Sequence, residues 1–289
     1  VLRDHQTGFR AYDPRFAYLF NSYYEAEGAR HARSRRGMLT RPSLDEVLAW
    51  RAHVDAAVER AMPDLSPAAL DLVELGIHHE QQHQELFLAD ILHLFAQNPL
   101  DPGMWPAART APVPAPAPLG WVEGRSGIVE VGHGGQGFAF DCEGPRHRIL
   151  LHPHALADRP VTNAEWCAFI EDGGYARPDH WLSDGWAWVK ANQIEAPLYW
   201  QREGAHWTTF DLDGRHPLSP AAAVTHVSYY EAEAYARWAG ARLPTEAEWE
   251  ASAEGLDPMG GNQLDRAGPV RPRAPRGNAG RQLFGDVWE

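Results

Sequence analysis

The run Ala111-Pro-Val-Pro-Ala-Pro-Ala-Pro118 decides how the rest of the chain is read. Alternating proline fixes φ, removes backbone donors and favours extended polyproline conformation, so this stretch cannot lie inside a helix or a sheet. With Pro99, Pro102 and Pro106 before it, it predicts a linker over 99–118 between a domain at 1–98 and another at 119–289.

On the N-terminal side the pattern is helical. Ser43 ahead of Leu44-Asp45-Glu46-Val47 is an N-cap with acids in the first turn, which predicts a helix to about Met62. Ser66-Pro67 opens a second helix, with Pro67 well placed at its first position. Apolar residues at Leu70, Val73, Ile77, Leu88, Ile91 and Phe95 carry it to Asn98-Pro99. On the C-terminal side Gly, Trp and short apolar runs dominate. Of the 12 tryptophans only Trp50 precedes residue 105, and most of the others are expected to fill a loop-rich core. Helical patterns there are confined to about 162–172, with Trp166, Phe169 and Ile170 as its inner face, and to 228–239, opened by the capping box Ser228-Tyr-Tyr-Glu231. The expected fold is multidomain: an α domain followed by an α+β domain with much irregular structure.

Composition narrows the function classes. With 289 residues and 44% apolar content the chain has ample material for buried cores. No run of about 18 apolar residues and no signal-peptide pattern occurs, so neither a membrane span nor export is expected, and the predicted address is cytoplasmic. Cys142 and Cys167 are too few for a disulfide framework or a cysteine metal cage. A formal charge of −13 argues against broad nucleic-acid or anionic-membrane contact and favours small-molecule partners. Lys190 is the single lysine, which codon bias in a GC-rich genome explains. Val1 is not a start methionine, and Phe284–Glu289 stop without a closing element, so a fragment of a longer protein is expected. Oligomeric state has no sequence signal.

Within the second helix lies Gly76-Ile-His-His-Glu-Gln-Gln-His-Gln-Glu85. His79 and His83 stand four positions apart, so their imidazoles project from one helical face and can share a metal. With Glu80 they form a literal His-Glu-x-x-His, the zinc-peptidase motif. Context weakens that reading. A metzincin would place Gly and His where Leu86 and Ala89 stand, and the Pro-rich linker follows where a helix with a glutamate ligand belongs; Glu123 and Glu130 are poorly placed. Two imidazoles plus one further ligand suit instead a non-haem Fe(II) centre with open positions for oxygen and a thiolate. His5, His31 and His53 are candidates for the third ligand, and each reads more readily as a surface histidine.

Three N-terminal segments, Asp13–Tyr24, Arg41–Val47 and His78–Leu86, together resemble the DinB-like helical bundle of bacterial ergothioneine-biosynthesis sulfoxide synthases. After the linker, Arg159–Trp166, His226–Tyr230, Arg242–Glu250 and Gly285–Glu289 resemble the formylglycine-generating-enzyme (sulfatase-modifying factor) domain of that family, an α+β fold of the C-type-lectin-like kind. The ordered pair of domains is more specific than either alone. The resemblance implies an Fe(II) enzyme that uses O2 to join cysteine or γ-glutamylcysteine to C2 of hercynine and to oxidise the sulfur to a sulfoxide. It implies that His79 and His83 are two of three iron ligands, the third histidine lying upstream of Val1. It assigns Arg33 and Arg36 to the carboxylates of the thiol substrate, for which guanidinium forks are well suited, and Gln82 to the hercynine pocket. Glu85 either orients a ligand histidine or forms a surface ion pair. The catalytic tyrosine falls beyond Glu289, so this stretch alone is expected to be inert. The iron is expected between bundle helices and loops of the second domain. An ovothiol-type synthase is the nearest alternative; formylglycine generation ranks low, because neither cysteine is late or paired.

Overall fold

The computed structural model describes residues 2–6, 8–26, 28–106, 118–264, 268, 270–274 and 282–288; most of the proline run lies outside them. The chain divides into two compact units, Val1–Gln84 and Glu85–Glu289, described separately.

The first unit holds α1 (Leu2–His5), α2 (Phe16–Leu19), a 3-10 helix over Arg33–Thr40, α3 (Leu44–Ala61) and most of α4 (Pro67–Ala96). Helix α3 starts where its cap predicts. The Ser43 hydroxyl accepts from the Glu46 amide, while the Glu46 carboxylate accepts from the Ser43 amide at 2.8 Å, so two donors without intrahelical partners are satisfied. Its inner face buries Ala57 and Ala61 against Leu2, with Phe9, Val54, Val58 and Leu65 around them. Trp50 on the same helix stacks on Phe20 with ring centroids 4.7 Å apart and meets Phe16 edge-on at 5.2 Å, which ties α2 to α3.

The second unit begins with the last turns of α4. Leu92 is buried with Phe210 and Leu212, and Leu88, Ile91 and Phe95 pack around them. The chain leaving α4 stays on that surface: Arg215 holds Asp101 through two hydrogen bonds of 3.1 and 3.2 Å, and the Met104 amide donates to the Leu212 carbonyl at 2.6 Å. The strands form small antiparallel sheets. β1 (Trp121–Glu123) pairs with β4 (Ala155–Ala157), β2 (Gly127–Val131) with β3 (His147–Leu151), and β5 (Trp200–Glu203), β6 (His206–Asp211) and β7 (Gly214–Pro217) make a meander.

Between and after them come α5 (Asn163–Glu171), α6 (Ser183–Asn192), α7 (Tyr229–Trp238) and α8 (Glu246–Ala253). The core is aromatic: Trp166 is stacked on Tyr235 at 5.0 Å, with Phe169, Tyr175, Trp181, Val189 and Ala234 completing it. A smaller core places Ala247 and Ala251 of α8 on Val129, Val131 and Leu151. The α+β character with much irregular structure is therefore as expected, after an N-terminal helical region.

Two helices correct the expectation of only two in this half. α6 starts after Leu182 with no side-chain cap and carries Gly185, whose missing Cβ lets Tyr230 approach; a Cβ there would lie 2.7 Å from that of Tyr230. α8 has only eight residues, too few for a visible apolar period. Trp166 and Trp181 are core residues as expected, whereas Trp121 and Trp288 are exposed.

Candidate metal and substrate site

α4 carries the predicted metal pair in mid-helix, where the backbone is held on both sides. The rings of His79 and His83 meet edge to face with centroids 4.5 Å apart, so the i, i+4 spacing brings them together. His79 is half-buried and His83 exposed. The Tyr24 hydroxyl lies 3.0 Å from His79 Nε2 across 55 residues of sequence. Tyr24 carries no sequence signal of this role beyond its place in the family-like run Asp13–Tyr24.

The predicted substrate arginines stand on the 3-10 helix at Arg33–Thr40, both exposed. Arg33 lies over the Tyr23 ring at 5.7 Å, Tyr23 meets Tyr24 edge-on at 5.3 Å, and Tyr24 reaches His79. A continuous line of contacts thus runs from Arg33 to the histidine pair. The Arg36 Nε and Nη2 both donate to Ser22 Oγ, at 3.2 and 2.9 Å. Gln82 is exposed on α4, one position before His83 and about 100° round the helix from it.

Among the described residues no third histidine, cysteine or carboxylate joins His79 and His83. His5 is exposed, and His53 is half-buried, its Nε2 at 2.9 Å from the Arg10 carbonyl. His31 corrects its surface expectation: it is 3% exposed, sealed by backbone on both sides of its ring. Glu80 lies 4.0 Å from Arg51, an exposed pair, rather than standing free as a general base. Among the described residues Glu85 accepts from the Trp288 indole N–H.

With this geometry in hand, comparison with known proteins gives the family. The model of the sulfatase-modifying factor enzyme 1-like domain matches residues 118–275, more than half of the chain. The chain belongs to the sulfatase-modifying factor enzyme 1-like family. It is also similar to the hercynine oxygenase of Mycolicibacterium thermoresistibile, 33% identical across 90% of this chain and 62% of that protein. The hercynine oxygenase of Mycolicibacterium smegmatis is 37% identical across 74% of this chain and 54% of its own length. The formylglycine-generating enzyme of Streptomyces coelicolor is 36% identical but covers only 52% of this chain. The chain therefore spans roughly three-fifths of the first of these relatives.

Two segments of the sulfatase-modifying factor enzyme 1-like domain repeat one construction. In Arg159–Trp166 the guanidinium donates to both Glu165 oxygens at 2.9 Å and to its neighbour's carbonyl, while Glu165 caps α5 with Thr162. In Arg242–Trp249 the guanidinium grips Glu248 at 2.7 and 2.6 Å, donates to the next carbonyl, and Glu248 caps α8 with Thr245. Hydrogen bonds from Arg242 first, then the Thr245 amide, pull the Glu248 carboxyl down to about 2 against its burial. Charge-assisted, doubly bonded caps of this kind hold helices that are too short to stand alone.

The family domain also holds a group with metal-ligand chemistry, Asp211, Asp213 and His216. Arg271 lies against both carboxylates, 2.9 Å from Asp211, and His216 Nε2 lies 2.8 Å from Asp213, so a guanidinium already balances the acids. Burial raises the Asp211 carboxyl and the Arg271 charge opposes it. Cys142 is exposed and Cys167 half-buried; burial first, then Glu171, raises the Cys167 thiol and makes it a poor nucleophile. Among the described residues no helix is long and apolar enough to cross a membrane.

Proposed function

We propose that the chain is the metal-bearing part of a non-haem Fe(II)- and O2-dependent sulfoxide synthase, which joins cysteine or γ-glutamylcysteine to C2 of hercynine. The observation that carries this reading is the His79–His83 pair on one face of α4, in a chain whose likeness to hercynine oxygenases runs through both halves.

The donor set fits iron, since two imidazoles leave positions for further ligands, although imidazole suits zinc, copper and nickel as well. Iron there would supply activation of O2 and a binding point for the thiolate. The chain's own residues do the rest. Arg33 and Arg36 offer guanidinium forks that match the carboxylates of the thiol substrate. Gln82 offers its amide to hercynine. Tyr24, through its contact with His79, fixes the orientation of that ring.

Reconstitution of the protein with Fe(II) under anaerobic conditions, followed by hercynine, either thiol and O2, tests the proposal by product mass. A C2-linked sulfoxide supports it, and the preferred thiol identifies the donor. A product formed on unmethylated histidine, or zinc-dependent peptide cleavage, would replace it.

A further inference from the structure

His31 is buried, and each of its ring nitrogens faces a backbone carbonyl: Nε2 is 3.0 Å from the Leu19 oxygen and Nδ1 is 3.2 Å from the Ala32 oxygen. Carbonyl oxygens only accept. A neutral imidazole has one N–H, so in that state one nitrogen would turn a lone pair toward a carbonyl; an imidazolium donates at both. His53 and His147 differ in this respect, each meeting a single carbonyl that one N–H satisfies.

The two carbonyls stand at opposite ends of one loop. Leu19 closes α2, and Ala32 is the N-cap of the 3-10 helix that carries Arg33 and Arg36. The same histidine's amide donates to the Asn21 carbonyl at 3.1 Å, and the Asn21 side chain bonds Tyr24 through both its amide nitrogen and its oxygen. His31 therefore fastens the segment that presents Tyr24 to His79 and Arg36 to Ser22. Charged groups lie close to it in sequence on both sides. Tyr18 of α2 meets its ring edge-on at 5.9 Å. Arg30, paired with Glu25, precedes it in the loop, and Arg33, Arg35 and Arg36 follow on the 3-10 helix. The two carbonyls favour a ring that donates from both nitrogens.

We propose that His31 is a positioning residue that works as an imidazolium, closing the 19–36 loop when both nitrogens carry protons. Loss of one proton frees one end of the loop and loosens the grip of Arg33 and Arg36 on a dicarboxylate thiol of the γ-glutamylcysteine type. The last clause rests on the function proposed above; the loop closure does not.

The test uses the 289-residue chain without metal. Histidine-ring nitrogen NMR from about pH 5 to about pH 9 reads the His31 protonation state directly, and amide exchange reads the loop. The expected result is a doubly protonated ring at the acid end and a fall in protection of the His31 amide with the same midpoint, by the roughly 10- to 100-fold that one charge-assisted hydrogen bond is worth. His31→Phe keeps the ring shape and is expected to abolish this dependence. A ring neutral throughout, with the loop equally protected, would overturn the proposal and needs no variant to fold. Calorimetry with γ-glutamylcysteine at the two ends of the titration separates the readings. Binding that weakens with the loop supports both; a loop that titrates while binding stays constant removes the substrate role and leaves the loop closure standing.

Discussion

Helix α4 buries one face and leaves the other open. Leu88, Ile91, Leu92 and Phe95 step by three and four residues along the face packed on Phe210 and Leu212. Leu72, Leu75, His79, His83 and Leu86 step in the same way along another face, where Leu72 is 44% and Leu86 57% exposed. Periodicity is identical on the two faces, and their use is not. One supplies burial energy that anchors the helix, while the other presents a ligand pair within an open apolar stripe, the kind of patch that marks a binding surface. Stability and chemistry are thus separated along a single element.

Substitutions on the two faces test this separation. His83→Ala should weaken metal affinity by more than the roughly 10- to 100-fold lost when only a ligand's outer partner is removed, and leave thermal unfolding unchanged. Leu92→Ala should behave oppositely, costing about 2–5 kcal/mol of stability in denaturant unfolding with metal affinity retained. Leu75→Ala, on the open stripe, should stay within about 0.5 kcal/mol. Equal losses for Leu75 and Leu92 would show that the stripe is covered.

Acid sensitivity of the second unit should have two sources. Burial lowers His226 to about 4, so the unfolded chain binds the extra proton first: stability is full above the ordinary histidine value and falls as pH drops toward about 4. Glu248, held at about 2 chiefly by Arg242, contributes stability above the ordinary glutamate value that is lost as pH falls through about 2. Arg242→Ala should therefore shift acid unfolding to higher pH, as followed by far-UV circular dichroism, while His226→Phe should flatten the decline above about pH 4. An unchanged acid limb in Arg242→Ala would remove the clamp from the account. Smaller again, Thr245→Ala should cost about 1 kcal/mol through the cap of α8. Arg51→Ala, which breaks only the exposed pair with Glu80, should cost less than about 1 kcal/mol.

What the sequence discloses follows from how local each signal is. α3 and α4 were legible because a cap and a long apolar period lie within the segments themselves. α6 was not, since its start lacks a side-chain cap and Gly185 is tolerated only because Tyr230 packs on it. The histidine pair was legible from its spacing. Tyr24 and the burial of His31 were not, because each depends on chain closure across 55 and 12 residues that no local pattern encodes.

The most direct test of the account is titration of the 289-residue chain with Co(II) as a probe for Fe(II), following the histidine ring signals by NMR. The account predicts that His79 and His83 shift first and together, and that His83→Ala abolishes the effect while Asp213→Asn does not. Binding that persists in His83→Ala and is lost in Asp213→Asn would move the metal to Asp211, Asp213 and His216 and contradict it.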